Sequence, residues 1–151
     1  NTMKRRDVLA AGAGLAMLAL VRPASATSEE MAAAIDRFTG GVRPTEGRVT
    51  FDIAQLIDNG NAVPVTIAVD SAMSAADHVS AIAIFNERNP QTDVAVFTLG
   101  PRAGKAQVST RIRLATSQKL TAVARMGDGS YRSASVSVIV ALAACVEGEA
   151  P

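Results

Sequence analysis

Apolar and polar residues alternate with a period of two along the chain from residue 48 onward. Val49, Phe51 and Ile53 alternate with polar neighbours, as the residues of a half-buried strand do. The same alternation, or a short apolar run between turn residues, predicts further strands over 63–69, 79–85, 93–99, 106–114, 119–126 and 130–142. Seven short strands without a long helix between them predict an all-β fold, an immunoglobulin-like antiparallel β-sandwich, with a small open barrel as the alternative.

Turn residues separate the predicted strands. Residues 57–61, with the sequence Ile-Asp-Asn-Gly-Asn, are predicted to form a turn. Residues 127–129, with the sequence Gly-Asp-Gly, are predicted to close a hairpin between the last two strands. In the last strand, one face is predicted to carry Ala134, Val136, Val138 and Val140, and the other Ser133, Ser135, Ser137 and Ile139.

A short amphipathic helix is predicted before the strands. Residues 27–30, Thr-Ser-Glu-Glu, have the pattern of a capping box, and Gly40 and Gly41 are typical of a left-handed C-cap. Three apolar residues fall on one face at helical spacing: Met31, Ile35 and Phe38. We therefore expect residues 27–47 to form this helix and a connector, and residues 48–142 to form the sandwich.

The first 26 residues have the features of an export signal. A basic region around Arg5 and Arg6 is followed by the uncharged stretch 10–21 and by the small residues Ala24-Ser25-Ala26. The paired arginines before Asp-Val-Leu match a twin-arginine signal, which directs export of folded proteins. We expect cleavage after Ala26, a periplasmic mature protein and no membrane attachment thereafter, with an uncleaved anchor as the alternative. Asn1 and Thr2, before the first methionine, are expected to be extraneous.

Composition narrows the possible functions. Cleavage after Ala26 leaves 125 residues, the size of one domain. The whole chain has 15 basic and 14 acidic residues, and four of the basic ones leave with the signal. There is no Trp, one Tyr and only four Phe. Without a basic stripe or interleaved aromatic residues, nucleic-acid binding is not expected, and neither is a large aromatic ligand pocket.

Cys145 is the only cysteine of the chain and follows the last predicted strand. It lies on a predicted C-terminal arm, residues 143–151, whose extended length from Ala141 to Cys145 is roughly 13 Å. A lone thiol on an exported arm suggests a covalent attachment point, and a thiol without function at the terminus is the alternative. Glu147 is expected to disfavour the thiolate, so activation would come from a pocket that the arm enters.

The other candidate residues have simpler interpretations. His78, the single histidine, lacks neighbours at metal-ligand spacing, so we predict no metal site and expect a solvated or capping histidine. A pair between His78 and Cys145 would require the arm to fold back. Asp70, Ser71 and Asp77 fall in one predicted loop. Arg111 and Arg113 share one strand face, either as a solvated edge or as a positive patch for an anion or a partner.

Several stretches together carry a resemblance to a known family. They are Ile57–Val65 with Asn-Gly-Asn and Val-Pro-Val, Val79–Phe85, Asn86–Pro90, Val108–Ala115 with Ser-Thr-Arg-Ile-Arg-Leu, and Met126–Ser130. With the signal and the helix, they make the chain resemble SoxY, the sulfur-carrying subunit of bacterial thiosulfate oxidation, over essentially its whole length. The resemblance implies an immunoglobulin-like sandwich, a SoxZ-like partner subunit in a heterodimer, and a swinging arm with Cys145 as the sulfur attachment site.

The arm departs from the usual SoxY pattern. Carriers proper end in Gly-Gly-Cys-Gly-Gly, whereas the neighbours of Cys145 are Ala143, Ala144, Val146 and Glu147. The end is similar to that of SoxY-related paralogues named for an Ala-Ala-Cys-Ile-Glu arm, with Val146 in place of Ile. Glycine leaves a backbone narrow and unrestricted, so these side chains widen and stiffen the arm.

Two hypotheses follow from these features. The first is a carrier without cofactor or catalysis of its own, which holds an inorganic sulfur species such as thiosulfate on Cys145 and meets Sox-type processing enzymes transiently. The second is an accessory or interaction subunit of a sulfur or redox pathway, in which Cys145 carries nothing. A sheet edge without a partner is a liability, so we expect a heterodimer or a disulfide-linked homodimer.

Overall fold

The computed structural model describes residues 27–143, which form one helix and nine strands. The predicted signal and Ala144–Pro151 lie outside the described residues. The elements are α1 (Ser28–Thr39), β1 (Thr45–Glu46), β2 (Val49–Asp52), β3 (Leu56–Asn59), β4 (Val63–Val69), β5 (Val79–Asn86), β6 (Asp93–Thr98), β7 (Gln107–Ile112), β8 (Gln118–Met126) and β9 (Tyr131–Leu142).

Two sheets face each other across an apolar core. The larger sheet has the order β1–β9–β8–β5–β6, with β3 added to β9, and the smaller sheet has the order β2–β4–β7. Neighbouring strands are antiparallel except β1 and β3, which both run parallel to β9. This architecture confirms the predicted all-β sandwich with a short N-terminal helix.

Residues spaced by two fill the space between the sheets. Along β4, Val63, Val65, Ile67 and Val69 are buried while the residues between them are more exposed. The larger sheet contributes Ile82, Ile84 and Leu120, and Leu114 follows β7; all four side chains are fully buried. Burying each such side chain stabilises the fold by about 1.5–3 kcal/mol. On β9, Val138 is buried and Val136 and Val140 contact the core, as predicted for that face.

Helix α1 begins and ends at the predicted residues. The Thr27 side chain accepts a hydrogen bond from the Glu30 amide (3.2 Å), and the Glu30 carboxylate accepts one from the Thr27 amide (3.1 Å). At the other end, Gly40 adopts φ 65°, a left-handed conformation that favours glycine. Within residues 27–143, no helix has the length and apolarity needed to cross a membrane.

The apolar face of α1 covers the outer side of the larger sheet. Phe38 packs edge-to-face against Phe85 and Tyr131, with ring centroids 5.9 Å apart in both pairs. The Arg125 guanidinium lies 4.7 Å from the centre of the Phe38 ring and donates a hydrogen bond from Nε to the Tyr131 hydroxyl. The helix therefore closes a second, smaller apolar cluster that includes Met31.

The structure corrects two predictions about chain segments. The turn expected over 57–61 is wrong for its first three residues, because Leu56–Asn59 form β3 and pair with the end of β9. Burial of Ile57 in the core and pairing with the end of β9, on the edge opposite β8, outweigh the turn preference of Asp58 and Asn59. The expected connector also contains a short strand, since Thr45–Glu46 pair with the start of β9.

Candidate functional site at the root of the arm

Strand β9 leads directly to the predicted arm. It ends at Leu142, and Ala143 follows as an exposed residue without regular secondary structure. The other predicted arm residues, Ala144, Cys145, Val146 and Glu147, lie outside the described residues. Cys145 follows Leu142 by three positions, a reach of about 10 Å at roughly 3.3–3.6 Å per residue. Any site that serves this thiol within the same chain must therefore lie close to Leu142.

Hydrogen bonds hold the end of β9 from both sides. The amide of Gly60 donates to the carbonyl oxygen of Leu142 (2.8 Å), and the amide of Ile139 donates to the carbonyl oxygen of Gln55 (2.8 Å). On the opposite side, the amide of Val140 donates to the Ser117 hydroxyl (2.8 Å). We call the six residues that make these hydrogen bonds the arm root: Gln55, Gly60, Ser117, Ile139, Val140 and Leu142.

Gly60 also connects the arm root to the smaller sheet. Its carbonyl oxygen accepts a hydrogen bond from the amide of Leu114 (2.9 Å), so a single residue links the end of β9 to the end of β7. Asn59 Oδ1 accepts hydrogen bonds from the amide and the side chain of Asn61, both 2.9 Å. The turn chemistry predicted for Asn59-Gly60-Asn61 is therefore present in its last part, where it positions Gly60.

Asn89 ties together the two loops that flank the arm root. Its Oδ1 accepts hydrogen bonds from the Ala115 amide (3.0 Å) and from Gln118 Nε2 (2.8 Å). Its Nδ2 donates to the carbonyl oxygen of Arg113 (2.8 Å). Asn86, only 1% exposed, accepts a hydrogen bond from the Asn89 amide through its Oδ1. Sequence reasoning assigned no role to Asn89, although the run of polar residues 86–90 is the signal that marks it.

The histidine lies at the far end of the sandwich. His78 precedes β5, where Val79 pairs with Met126, and its imidazole lies against Gly127. The arm root lies at the other end of β8, eight residues away near Gln118, or about 26 Å along the strand. An arm that reaches about 10 Å beyond Leu142 does not bring Cys145 to His78 of the same chain. The hypothetical pair of His78 with Cys145 is therefore not supported within one chain.

The acidic loop near His78 is held by a local ion pair. Arg48 contacts both carboxylate oxygens of Asp77 at 2.9 Å and also donates to the carbonyl oxygen of Asp70. The hydrogen bond from Arg48 lowers the pKa of the Asp77 carboxyl below its ordinary value. Ser71 donates to the carbonyl oxygen of Asp77 (3.0 Å). These contacts give the loop a structural role, and residues 27–143 contain no group of three or more His, Cys, Asp or Glu suited to a metal ion.

Arg111 and Arg113 are both exposed, as the alternation of the strand predicts. They lie on the outer face of the smaller sheet, on the same side as Ser109, whose hydroxyl contacts Thr66 Oγ1 at 2.8 Å. The strand register places Pro64 opposite Arg111. Arg113 follows β7 directly and precedes Leu114, the residue bonded to Gly60. The structure therefore places Arg111 and Arg113 near the end of the sandwich where β9 ends.

Together, these features define a class: an immunoglobulin-like sandwich with its single thiol just beyond a firmly held terminal strand. The family described as sulfur oxidation protein SoxY matches residues 35–145, a segment that includes Cys145. The chain belongs to the SoxY family, which confirms the predicted resemblance to these sulfur carriers of the Sox system.

Solved structures agree with this assignment. The sulfur carrier protein SoxY from Chlorobium limicola f thiosulfatophilum is 29% identical, with a TM-score of 0.64, and the match covers 76% of this chain and 98% of that chain. A superoxide reductase (neelaredoxin) from Ignicoccus hospitalis is 15% identical, with a TM-score of 0.55, over 62% of this chain and 80% of that chain. At such low identity the second likeness shows the fold alone. No curated protein sequence matches the chain.

Proposed function

We propose that this protein is a periplasmic sulfur carrier that holds an inorganic sulfur species covalently on Cys145. The observation that carries the proposal is the family match, which extends to Cys145, three residues beyond the point where β9 ends. The end of β9, held by hydrogen bonds on both sides and followed by the exposed Ala143, leads directly to the segment that bears Cys145. The twin-arginine pattern of the first 26 residues supports export of the folded chain.

The attachment step requires an external oxidant. When the Cys145 thiol joins the terminal sulfur of thiosulfate, an S–S bond forms, the thiol proton is released and two electrons leave. The family resemblance implies that a haem enzyme accepts these electrons, so the carrier contributes the thiol and its placement only. His78, the single histidine of the chain, lies at the end of the sandwich opposite the arm root.

An apolar surface beside the arm root supports a partner subunit. Leu56 is 66% exposed and Ile139 is 63% exposed, whereas Leu142, three residues beyond Ile139, belongs to the other face of the strand. Leu56 and Ile139 are direct neighbours in the parallel pairing of β3 with β9, so their side chains lie side by side on one face. Large exposed apolar side chains in a group mark interaction sites. We propose that a SoxZ-like subunit covers this surface.

Intact-mass analysis of the mature protein, isolated from its native periplasm without reductant, tests the carrier proposal. We expect an added mass of sulfur or thiosulfate that reductant removes and that peptide mapping assigns to Cys145. Mature protein that begins at Thr27 would support the predicted signal. A bare thiol in cells growing on reduced sulfur compounds would contradict the carrier proposal and favour the accessory-subunit hypothesis.

Two variants separate carriage from assembly. Cys145→Ser is expected to abolish pathway activity while leaving binding to the SoxZ-like subunit intact. Leu56→Asn is expected to weaken subunit binding while leaving the Cys145 thiol able to react with an alkylating reagent. Unchanged pathway activity in Cys145→Ser, with the variant protein present at normal levels, would rule out carriage on this residue.

A further inference from the structure

Strand β6 forms one edge of the larger sheet and pairs with β5 on one side. The amide of Leu99 donates to the carbonyl oxygen of Ser80 (2.9 Å), and the positions that are hydrogen-bonded across an antiparallel pair alternate along each strand. The N–H and C=O groups of Val96 and Thr98, at the alternate positions, therefore point away from β5. Within residues 27–143, no hydrogen bond reaches these four backbone groups, so they are available to another strand.

The sequence of this edge leaves it open to pairing. Residues 94–98 contain neither a charge nor a proline, and Val96 is 57% exposed. Strand β7, an edge of the smaller sheet, instead carries the exposed Arg111 and follows Lys105 closely. Charged side chains on an edge strand are one means by which proteins prevent pairing with other chains. Of these two edges, β6 is therefore the one suited to accept a further strand.

A bulge limits the register in which β6 can pair. Val94 has no partner on β5, because the register between the two strands shifts at this residue. A regular ladder on the open edge is therefore confined to residues 95–99. When a second β6 runs antiparallel to the first, this stretch pairs with itself around Phe97. Each Val96 then lies opposite Thr98 of the second copy, and the two pairs exchange four N–H···O bonds.

The same register brings opposite charges of the two copies together. Asp93, at the start of β6, falls opposite Pro101 of the second copy, directly beside Arg102 in the turn after β6. Both charged residues are exposed, and neither forms an ion pair among the described residues. Within one chain they lie at opposite ends of β6, whose six residues span about 16 Å. The two charges therefore complement each other between copies and not within one.

We propose that two copies of this chain associate through β6, by antiparallel pairing about a two-fold axis that makes one continuous sheet of the two larger sheets. Because each copy uses the same edge, the contact closes on itself and stops at a dimer. The surface around Leu56 and Ile139 lies at the opposite edge of the larger sheet, so it stays open to the proposed SoxZ-like subunit. The pairing does not rest on the carrier function.

Sedimentation velocity of the full mature chain over a range of concentrations tests the pairing. The buffer contains reductant, so that no disulfide contributes to association. We expect a reversible dimer whose dissociation constant rises about tenfold or more in Val96→Lys, because two cross-strand Val–Thr pairs are lost and two ammonium groups come close together. Amide hydrogen exchange at Val96 and Thr98 should slow as the wild-type protein is concentrated.

Val42→Lys is the matched control. Val42 is 46% exposed and precedes β1, at the other edge of the larger sheet. This variant introduces the same charge at an exposed valine and should leave the dissociation constant unchanged. Both variants should keep the circular dichroism spectrum of the wild type, since both side chains lie at the surface. An equal loss of association in the two variants would overturn the role of β6.

Reversal of the two charges tests the register. Asp93→Arg and Arg102→Asp should each raise the dissociation constant about two- to fivefold at low ionic strength, because each change places like charges beside each other. The double variant restores the opposite charges in exchanged positions and should recover most of the wild-type affinity. Additive losses in the double variant, or single variants without effect at low salt, would overturn the register centred on Phe97.

Two further outcomes would overturn the proposal. One is a wild-type chain that remains a monomer at millimolar concentration. The other is a monomeric wild type together with a loss of binding to the SoxZ-like subunit in Val96→Lys, which would assign β6 to that subunit. A bare thiol in the native protein would reject the carrier function without changing the sedimentation result, so the two proposals fail separately.

Discussion

Replacing Asn89 with alanine is expected to loosen the end of the sandwich that holds the arm. The Asn89 side chain makes three hydrogen bonds, which join the β5–β6 connection to the segment between β7 and β8 and to Gln118 at the start of β8. Asn89→Ala removes all three without disturbing the apolar core, because Asn89 lies outside both apolar clusters.

The loss of stability in Asn89→Ala depends on whether each hydrogen-bond partner of Asn89 finds another partner. A hydrogen bond inside a protein contributes about 0.5–1.5 kcal/mol net, and a partner left unsatisfied costs more. Gln118 keeps a second acceptor, the carbonyl oxygen of Thr116 at 3.0 Å, and the Arg113 carbonyl lies at the exposed edge. We therefore expect Asn89→Ala to lower the free energy of unfolding by about 2–3 kcal/mol, which corresponds to a fall in melting temperature of about 10 °C.

Thermal denaturation and hydrogen exchange measure this effect. Exchange should quicken most at the Ala115 amide, which loses its acceptor. Gln91→Ala is the matched control, because it removes a side-chain amide from the same connection that makes no hydrogen bond among the described residues, while its carbonyl oxygen still accepts from Asn86 (2.8 Å). A melting temperature for Asn89→Ala within 2 °C of the wild type, taken as about 0.5 kcal/mol, would refute the reasoning, as would an equal loss in Gln91→Ala.

Two further predictions concern the opposite end of the sandwich. In Gly127→Ala, the added methyl group would overlap the His78 imidazole. We therefore expect the free energy of unfolding, measured by urea denaturation, to fall by about 1–3 kcal/mol, and a second substitution, His78→Ala, to restore most of it. Equal losses in the single and double variants would contradict the steric clash. The pKa of Asp77 is lowered in the folded protein by its hydrogen bond to Arg48, so the stabilisation is complete above the ordinary carboxyl pKa of about 3.9 and is lost as pH falls through the lower, folded value. Asp77→Asn should therefore be less stable than the wild type at neutral pH and approach it as the pH falls, and a stability difference that does not shrink in acid would argue against the ion pair.

The sequence alone was sufficient for the sandwich and its helix, because these depend on local periodicity. Alternation along 63–69 buried every second residue, and the capping box at Thr27 with glycine at Gly40 bounded α1 as expected. The family was also accessible from sequence, since its motifs are contiguous stretches. The functional importance of Cys145 remains a prediction, because this residue lies outside the described part of the chain.

Tertiary structure decided what contiguous motifs cannot show. Leu56–Asn59 became a strand because, on the edge of β9 opposite β8, β1 pairs only with the start of β9 and leaves the end of that edge for β3, a contact between residues about eighty positions apart. The assembly of the two sheets also brought Gly60, Leu114 and Leu142 together through hydrogen bonds at one end of the sandwich, and it placed His78 at the other end. Hydrogen bonds between distant segments depend on how the sheets assemble, so the surroundings of the arm emerged only from the folded chain.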